Sequence, residues 1–239
     1  MKRPLISFLA IIIVYVIISG LNSCNESVKV PKSVLSNTKE MTIDSLMDLA
    51  EKSPDDIALL NSIADLALQN KDSGLAVHYL NQSLRVSPGQ TEVVFVLAGI
   101  LQSQNDSLWK KLTDQLIKSN DPIAGSRGYF LMGIDLANKD KLKEAIASFN
   151  KSISLNYSFI DPYIEKSILL LEKNETEDAS AVLYTALDLD RKSPDIHFLI
   201  GECWMKKKNP KNALPFYEEA LRLDPDFVSA QKRIEEINP

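Results

Sequence analysis

The side chains of this chain equipped for chemistry are few and poorly matched. Among 239 residues there are two histidines, His78 and His197, and two cysteines, Cys24 and Cys203. The histidines lie too far apart to share a metal ion or a proton relay, and each reads as a packing or surface residue. No Gly-rich phosphate loop, Gly-x-Ser-x-Gly elbow or His-Glu-x-x-His helix occurs. Carboxylates are many but scattered at turns and helix ends, as Asp190 and Asp224 are, without a paired constellation for acid–base work. No catalytic residue, metal site or cofactor is therefore expected. The formal charge of −5 argues against a nucleic-acid partner, which needs a basic stripe. The one cationic run, Lys206-Lys207-Lys208, reads as the end of a helix.

Cys24 is the exception. Lys2 and Arg3 precede an apolar run from Leu5 to Ile18, then Ser19-Gly20-Leu21-Asn22-Ser23-Cys24. A positive start, an apolar run shorter than the ~20 residues of a membrane span, and small residues before a boundary describe a bacterial secretory signal. Leu21-Asn22-Ser23-Cys24 resembles a lipobox, where signal peptidase II cleaves before a cysteine made into a diacylglyceryl anchor; Asn22 departs from the usual Ala or Ser. The resemblance implies a signal peptide over 1–23, a lipid on Cys24 and attachment to a membrane of the bacterial cell envelope. An uncleaved single-span anchor is the alternative. Residues 24–40, polar and without apolar period, read as a flexible tether. With Cys24 lipidated, Cys203 has no partner for a structural disulfide and reads as a buried, inert thiol.

The elements behind these residues show a period. From Pro194 to Phe227 the chain reads as helix, tight turn and helix, with His197, Ile200, Gly201 and Trp204 on the first and Ala213, Tyr217, Ala220 and Leu221 on the second. Gly201 and Ala220 are small where an amphipathic face calls for large residues, so two helices can approach closely there. Stepping back by 34 residues places Ala213 on Ala179 and Ala145, Tyr217 on Leu183 and Phe149, and Gly201 on Ser167 and Gly133. A hairpin that cannot bury its apolar face alone, repeated at fixed period, is the signature of a helical solenoid. These positions resemble the tetratricopeptide repeat (TPR). The resemblance implies an all-α, right-handed solenoid of five helix-turn-helix repeats at 57–90, 91–125, 126–159, 160–193 and 194–227.

Caps are expected at both ends: a half-repeat over 41–56, where Pro54 shares a slot with Pro88, Pro122 and Pro225, and a short helix over 228–239. The repeat at 91–125 departs from the pattern. Its second helix offers Trp109, Leu112, Leu116 and Ile117 without Ala at either small slot, and an extra residue precedes Ser126. Shifted or looser packing is expected there.

Stacked TPR units line a concave groove with their first helices, and the resemblance says which slots face it. Those slots hold Phe95, Phe130, Ile134, Ile164, Ile168, Leu171, Phe198 and Met205, an apolar stripe with Arg127, Asp161, Asp195 and Glu172 beside it. A rimmed apolar stripe marks a site for a protein or peptide partner. The alternatives are that these side chains pack on neighbouring helices, or that the chain's own tail covers them. Asn61 alone resembles the Lys/Asn clamp of chaperone-binding TPR domains, and its facing lysines are missing. The chain thus reads as a lipid-anchored TPR scaffold, similar to lipoproteins that help assemble outer-membrane machinery. The competing class is an envelope enzyme or regulator in cell-wall or glycan metabolism.

Overall fold

The structure is a computed structural model that describes residues 42–238, so Cys24, the signal segment and the tether lie outside the described residues. Twelve helices and no strand are found among these residues. They fall into two compact units that divide after Ser119. The first holds α1 (Ile43–Lys52), α2 (Ile57–Gln69), α3 (Ser73–Val86), α4 (Thr91–Ser103) and α5 (Leu108–Lys118). The second holds α6 (Pro122–Asn138), α7 (Leu142–Leu155), α8 (Asp161–Glu172), α9 (Thr176–Leu189), α10 (Pro194–Lys206), α11 (Pro210–Leu223) and α12 (Val228–Ile237).

Each hairpin turn is built alike. Lys71, Asn105, Asp140, Asn174 and Lys208 all have positive φ, near 60°. In each case the next N–H reaches back to a carbonyl in the last turn of the preceding helix. Asp72 donates to Ala67 at 2.8 Å, Asp106 to Leu101 at 2.9 Å, Lys141 to Leu136 at 2.9 Å, Glu175 to Leu170 at 2.8 Å and Asn209 to Trp204 at 3.0 Å. This left-handed stop satisfies carbonyls that a helix end leaves open. The residue that closes one helix then starts the next: the carboxylate of Asp72 accepts from Leu75 N–H and the side chain of Asn209 from Asn212 N–H. No glycine occupies these five sites, so a sequence pattern based on glycine stops passes over them.

The small slots do what their size suggests. A Cβ on Gly201 would lie 2.5 Å from the Tyr217 ring, and one on Gly133 would collide with Phe149. Ala145, Ala179, Ala213 and Ala220 are wholly buried. Where the third repeat has Ser152 in place of Ala, its hydroxyl donates to the Ser126 carbonyl at 2.7 Å, and Ser126 Oγ donates back to the Ser152 carbonyl at 2.9 Å. The two hydroxyls thereby bring close-packed helices together without an orphaned polar group.

The irregular hairpin has a specific defect. Second helices elsewhere bury a triad such as Ala76, Leu80 and Ser83, or Ala145, Phe149 and Ser152. In α5 the buried set is Trp109, Thr113 and Leu116, one residue early in the 34-residue frame. The offset brings Trp109 inward, and the period in the turns slips by one residue between Asn105 and Asp140. Helix α6 also begins at Pro122, ahead of the repeat start expected at 126, because Asp121 caps it and Pro122 occupies a first-turn position that needs no N–H donor. The division between the two units falls in this same stretch.

Candidate interaction face

The eight residues expected to line an open apolar stripe do not form one. Phe95, Phe130, Ile134, Ile164 and Leu171 are buried within the fold. Phe130 packs on Phe149 and Phe159 with ring centroids 6.0 and 5.2 Å apart. Phe198 and Met205 are half-buried against the core formed by Ala213, Tyr217, Ala220 and Ala230, so the C-terminal helix shares in covering them. Phe198 meets Tyr217 and Phe227 at 5.5 and 5.3 Å. Ile168 is half-buried at the edge of the α8–α10 core. The physical reason is reach: side chains on a helix lean over the turn before their own Cα, so a large residue at these slots falls onto the neighbouring helix rather than standing out from it.

What the same face presents instead is charge. On α8, Asp161, Glu165, Ile168 and Glu172 recur at spacings of four, three and four, which places them along one side of the helix. Helix α8 packs between α6 and α10. Helix α10 brings Asp195, Leu199, Glu202 and Lys206 at the equivalent positions, one repeat on. Burial raises the pKa of Glu172 and, more completely, of Asp195, the latter pushed further by Asp224. Glu165 is 4% exposed, and burial, with Asp161, Asp195 and Glu172 around it, pushes its carboxyl up to about 8. Glu165 is thus buried, Asp161 and Asp195 are half-buried, and Glu172 near the end of α8 stays exposed.

The cations near this face are engaged. Lys206 Nζ donates to the Leu171 carbonyl at 2.8 Å and to Asn174 Oδ1 at 2.9 Å, which ties α10 to the end of α8. Arg233 from α12 donates to both oxygens of Glu202, each at 2.8 Å. Tyr217 OH donates to Glu202 as well, at 2.5 Å. This three-way contact fastens the C-terminal helix across the last repeat. The Arg127 guanidinium lies over the Phe159 ring, 5.7 Å from its centre.

The remaining chemistry-bearing residues are placed elsewhere. His78 is exposed on α3, edge-on to Tyr79. The His197 ring contacts the Arg191 carbonyl through Nε2 at 3.1 Å and packs near Phe216. Cys203 is buried with Ile196, Ile200 and Leu183, and burial pushes its thiol up to about 11, far from reactivity at neutral pH. Sequence reasoning missed Glu165. Its signal was a carboxylate at a slot where the flanking repeats carry Leu131 and Leu199.

Comparison with known proteins agrees with the architecture. Residues 194–227 match the tetratricopeptide repeat family model. A 90-residue stretch, 37% of this chain, is 32% identical to the human protein O-mannosyl-transferase TMTC3, and spans only 10% of that protein. Among solved structures, a thermophilic TPR protein of Thermus thermophilus aligns with a TM-score of 0.60 at 16% identity, over 76% of this chain and 98% of that one. Yeast Tom70 aligns with a TM-score of 0.68 at 15% identity, over 95% of this chain but only 45% of Tom70. A tetratricopeptide repeat protein of Parabacteroides merdae aligns at 0.65 and 14% identity, over 82% and 77% of the two chains. At such identities the likeness is one of fold. With a tetratricopeptide repeat matched at 194–227 and helix pairs of the same build elsewhere among the described residues, the chain has the fold of a tetratricopeptide repeat solenoid.

Proposed function

We propose that this chain is a non-catalytic scaffold, lipid-anchored through Cys24 in a bacterial cell envelope, that docks a protein or peptide partner on the α8–α10 face of its C-terminal unit. The observation that carries the docking reading is a row of acids along one side of these helices: Asp161, Glu165 and Glu172 flank the half-buried Ile168 on α8, and Asp195 holds the equivalent place on α10. A solenoid seals its core between helix pairs and has no structural use for desolvated acids on a first-helix face. The anchor rests on the sequence pattern ending at Cys24.

A photo-crosslinking amino acid at position 168 tests the docking face against one at position 184, where Tyr184 is exposed on α9. The partner is expected to crosslink from 168 and not from 184 in envelope extracts; the reverse pattern moves the binding surface off this face. For the anchor, Cys24→Ala is expected to release the protein from membranes or leave the precursor unprocessed. Unchanged mass and membrane retention in that variant would support a spanning segment instead.

A further inference from the structure

Asn-x-Ser/Thr triplets begin at Asn81, Asn105, Asn150, Asn156 and Asn174 within the described residues. Such a triplet is the acceptor signal for an N-linked glycan when an exported chain presents it at the surface. Every one of them except that at Asn105 is taken up by the fold. Asn81 Nδ2 donates to the Val77 carbonyl at 2.8 Å inside α3, and Ser83 is buried. Ser152, two residues after Asn150, is buried and bonded to the Ser126 carbonyl. Asn174 Oδ1 accepts from Lys206 Nζ at 2.9 Å, and Thr176 is buried. Asn156 Oδ1 accepts from both the N–H and the hydroxyl of Ser158, which closes that triplet on itself.

The triplet Asn105-Asp106-Ser107 differs. All of its residues are exposed, in the turn between α4 and α5. Its backbone is fixed: Asn105 N–H donates to the Gln102 carbonyl at 3.1 Å and Asp106 N–H to the Leu101 carbonyl at 2.9 Å. Asp106 Oδ1 accepts from Leu108 N–H at 2.9 Å and so takes the capping role at the start of α5. The two outer side chains are left without a structural task. Ser107 makes no cap bond, and neither the Asn105 amide nor the Ser107 hydroxyl has a hydrogen bond among the described residues. Nor does the left-handed stop require asparagine, since Lys71, Asp140 and Lys208 serve at matching positions. An idle amide and an idle hydroxyl two residues apart on an open turn are what a glycosylating enzyme needs to reach.

We infer that Asn105 is the attachment site of an N-linked glycan, added to the exported, folded chain. This rests on the export half of the reading above, the signal that ends at Cys24, and is independent of the docking face. The co-reactant is an oligosaccharide carried on a polyprenyl diphosphate. The bond from the sugar's anomeric carbon to the diphosphate oxygen breaks and a bond from that carbon to Asn105 Nδ2 forms. The diphosphate leaves with the electron pair and takes up the displaced amide proton. The Ser107 hydroxyl is the group that the transferase recognises beside the acceptor amide. Once attached, the glycan stands next to Leu108, which is 57% exposed, and makes that turn more soluble.

Tandem mass spectrometry of a tryptic digest tests this, on the full chain purified from the membranes of the cells that make it. The peptide that follows Arg85 and ends at Lys110 contains this triplet and no other. It is expected to carry a glycan mass on Asn105, with the peptides that hold Asn81, Asn150, Asn156 and Asn174 unmodified. Asn105→Gln and Ser107→Ala are each expected to remove the added mass, and Ser107→Thr to keep it. Both side chains are exposed, so these variants fold as the wild type does. An unmodified peptide from a chain whose N-terminus is processed at Cys24 overturns the glycan and leaves export standing. An unmodified peptide from an unprocessed chain overturns both. Added mass that survives Asn105→Gln but is lost in Ser107→Ala sits on the hydroxyl and overturns the amide linkage. Added mass on every triplet overturns the selection of Asn105 by its exposure.

Discussion

Phe130 shows how a single side chain decides between two readings of one slot. Its ring meets Phe149 and Phe159 and is buried, so it holds α6 to its neighbours instead of waiting for a partner. Phe130→Ala is therefore expected to cost about 3–5 kcal/mol of folding stability, read from chemical denaturation. A variant that denatures like the wild type would restore Phe130 to the exposed stripe. Glu165 makes the opposite case. It is buried at a slot where the neighbouring repeats carry Leu131 and Leu199, and that burial, with acids on α8 and α10 around it, pushes its carboxyl up to about 8.

At the scale of the element, the hairpin turn is the unit that repeats most faithfully. Five residues of three types, Lys, Asn and Asp, take the left-handed conformation at matching positions. For Lys71 and Lys208 that conformation is strained, since a side chain with Cβ crowds the following carbonyl. Lys208 is exposed, so Lys208→Gly is expected to raise stability by about 0.5–1 kcal/mol, seen as a higher denaturation midpoint. A loss of stability would mean that the Lys208 side chain makes a contact worth more than the strain. Helix α5 illustrates the converse. In the 34-residue frame its Ala slot falls on Lys110, and the inward triad shifts by one residue so that Trp109 turns in while Lys110 stays exposed.

For the whole molecule, the buried acids make stability depend on pH. Folded Glu165 keeps its proton to about pH 8, whereas its ordinary value is 4.5, so the folded state binds the extra proton between those limits. The stabilisation is present below about 4.5 and is lost as pH rises through 8. Asp65, pushed up to about 6 by burial and by Glu92, adds the same trend over a lower and narrower range. Between pH 5 and 8.5 the wild type is expected to lose on the order of 4 kcal/mol more than Glu165→Gln in denaturant titrations. Parallel losses in the two proteins would show that Glu165 is ionised throughout.

The helical class, the 34-residue period and the pairing of small with large residues were legible in the sequence because they depend on local spacing. Gly201 opposite Tyr217 and Gly133 opposite Phe149 need only a helix pitch and a short turn to meet. The irregularity at 91–125 was legible as missing alanines, though not as a one-residue offset, since an offset exists only relative to the helix it packs on. Which slots face outward was decided by the tertiary structure alone. Periodicity says that Phe130, Ile164 and Glu165 lie near one side of their helices, but neighbouring helices determine how much of each is covered. Those neighbours bury Phe130 and Ile164 as core and cover the Glu165 carboxylate beside them, a distinction that no spacing rule contains.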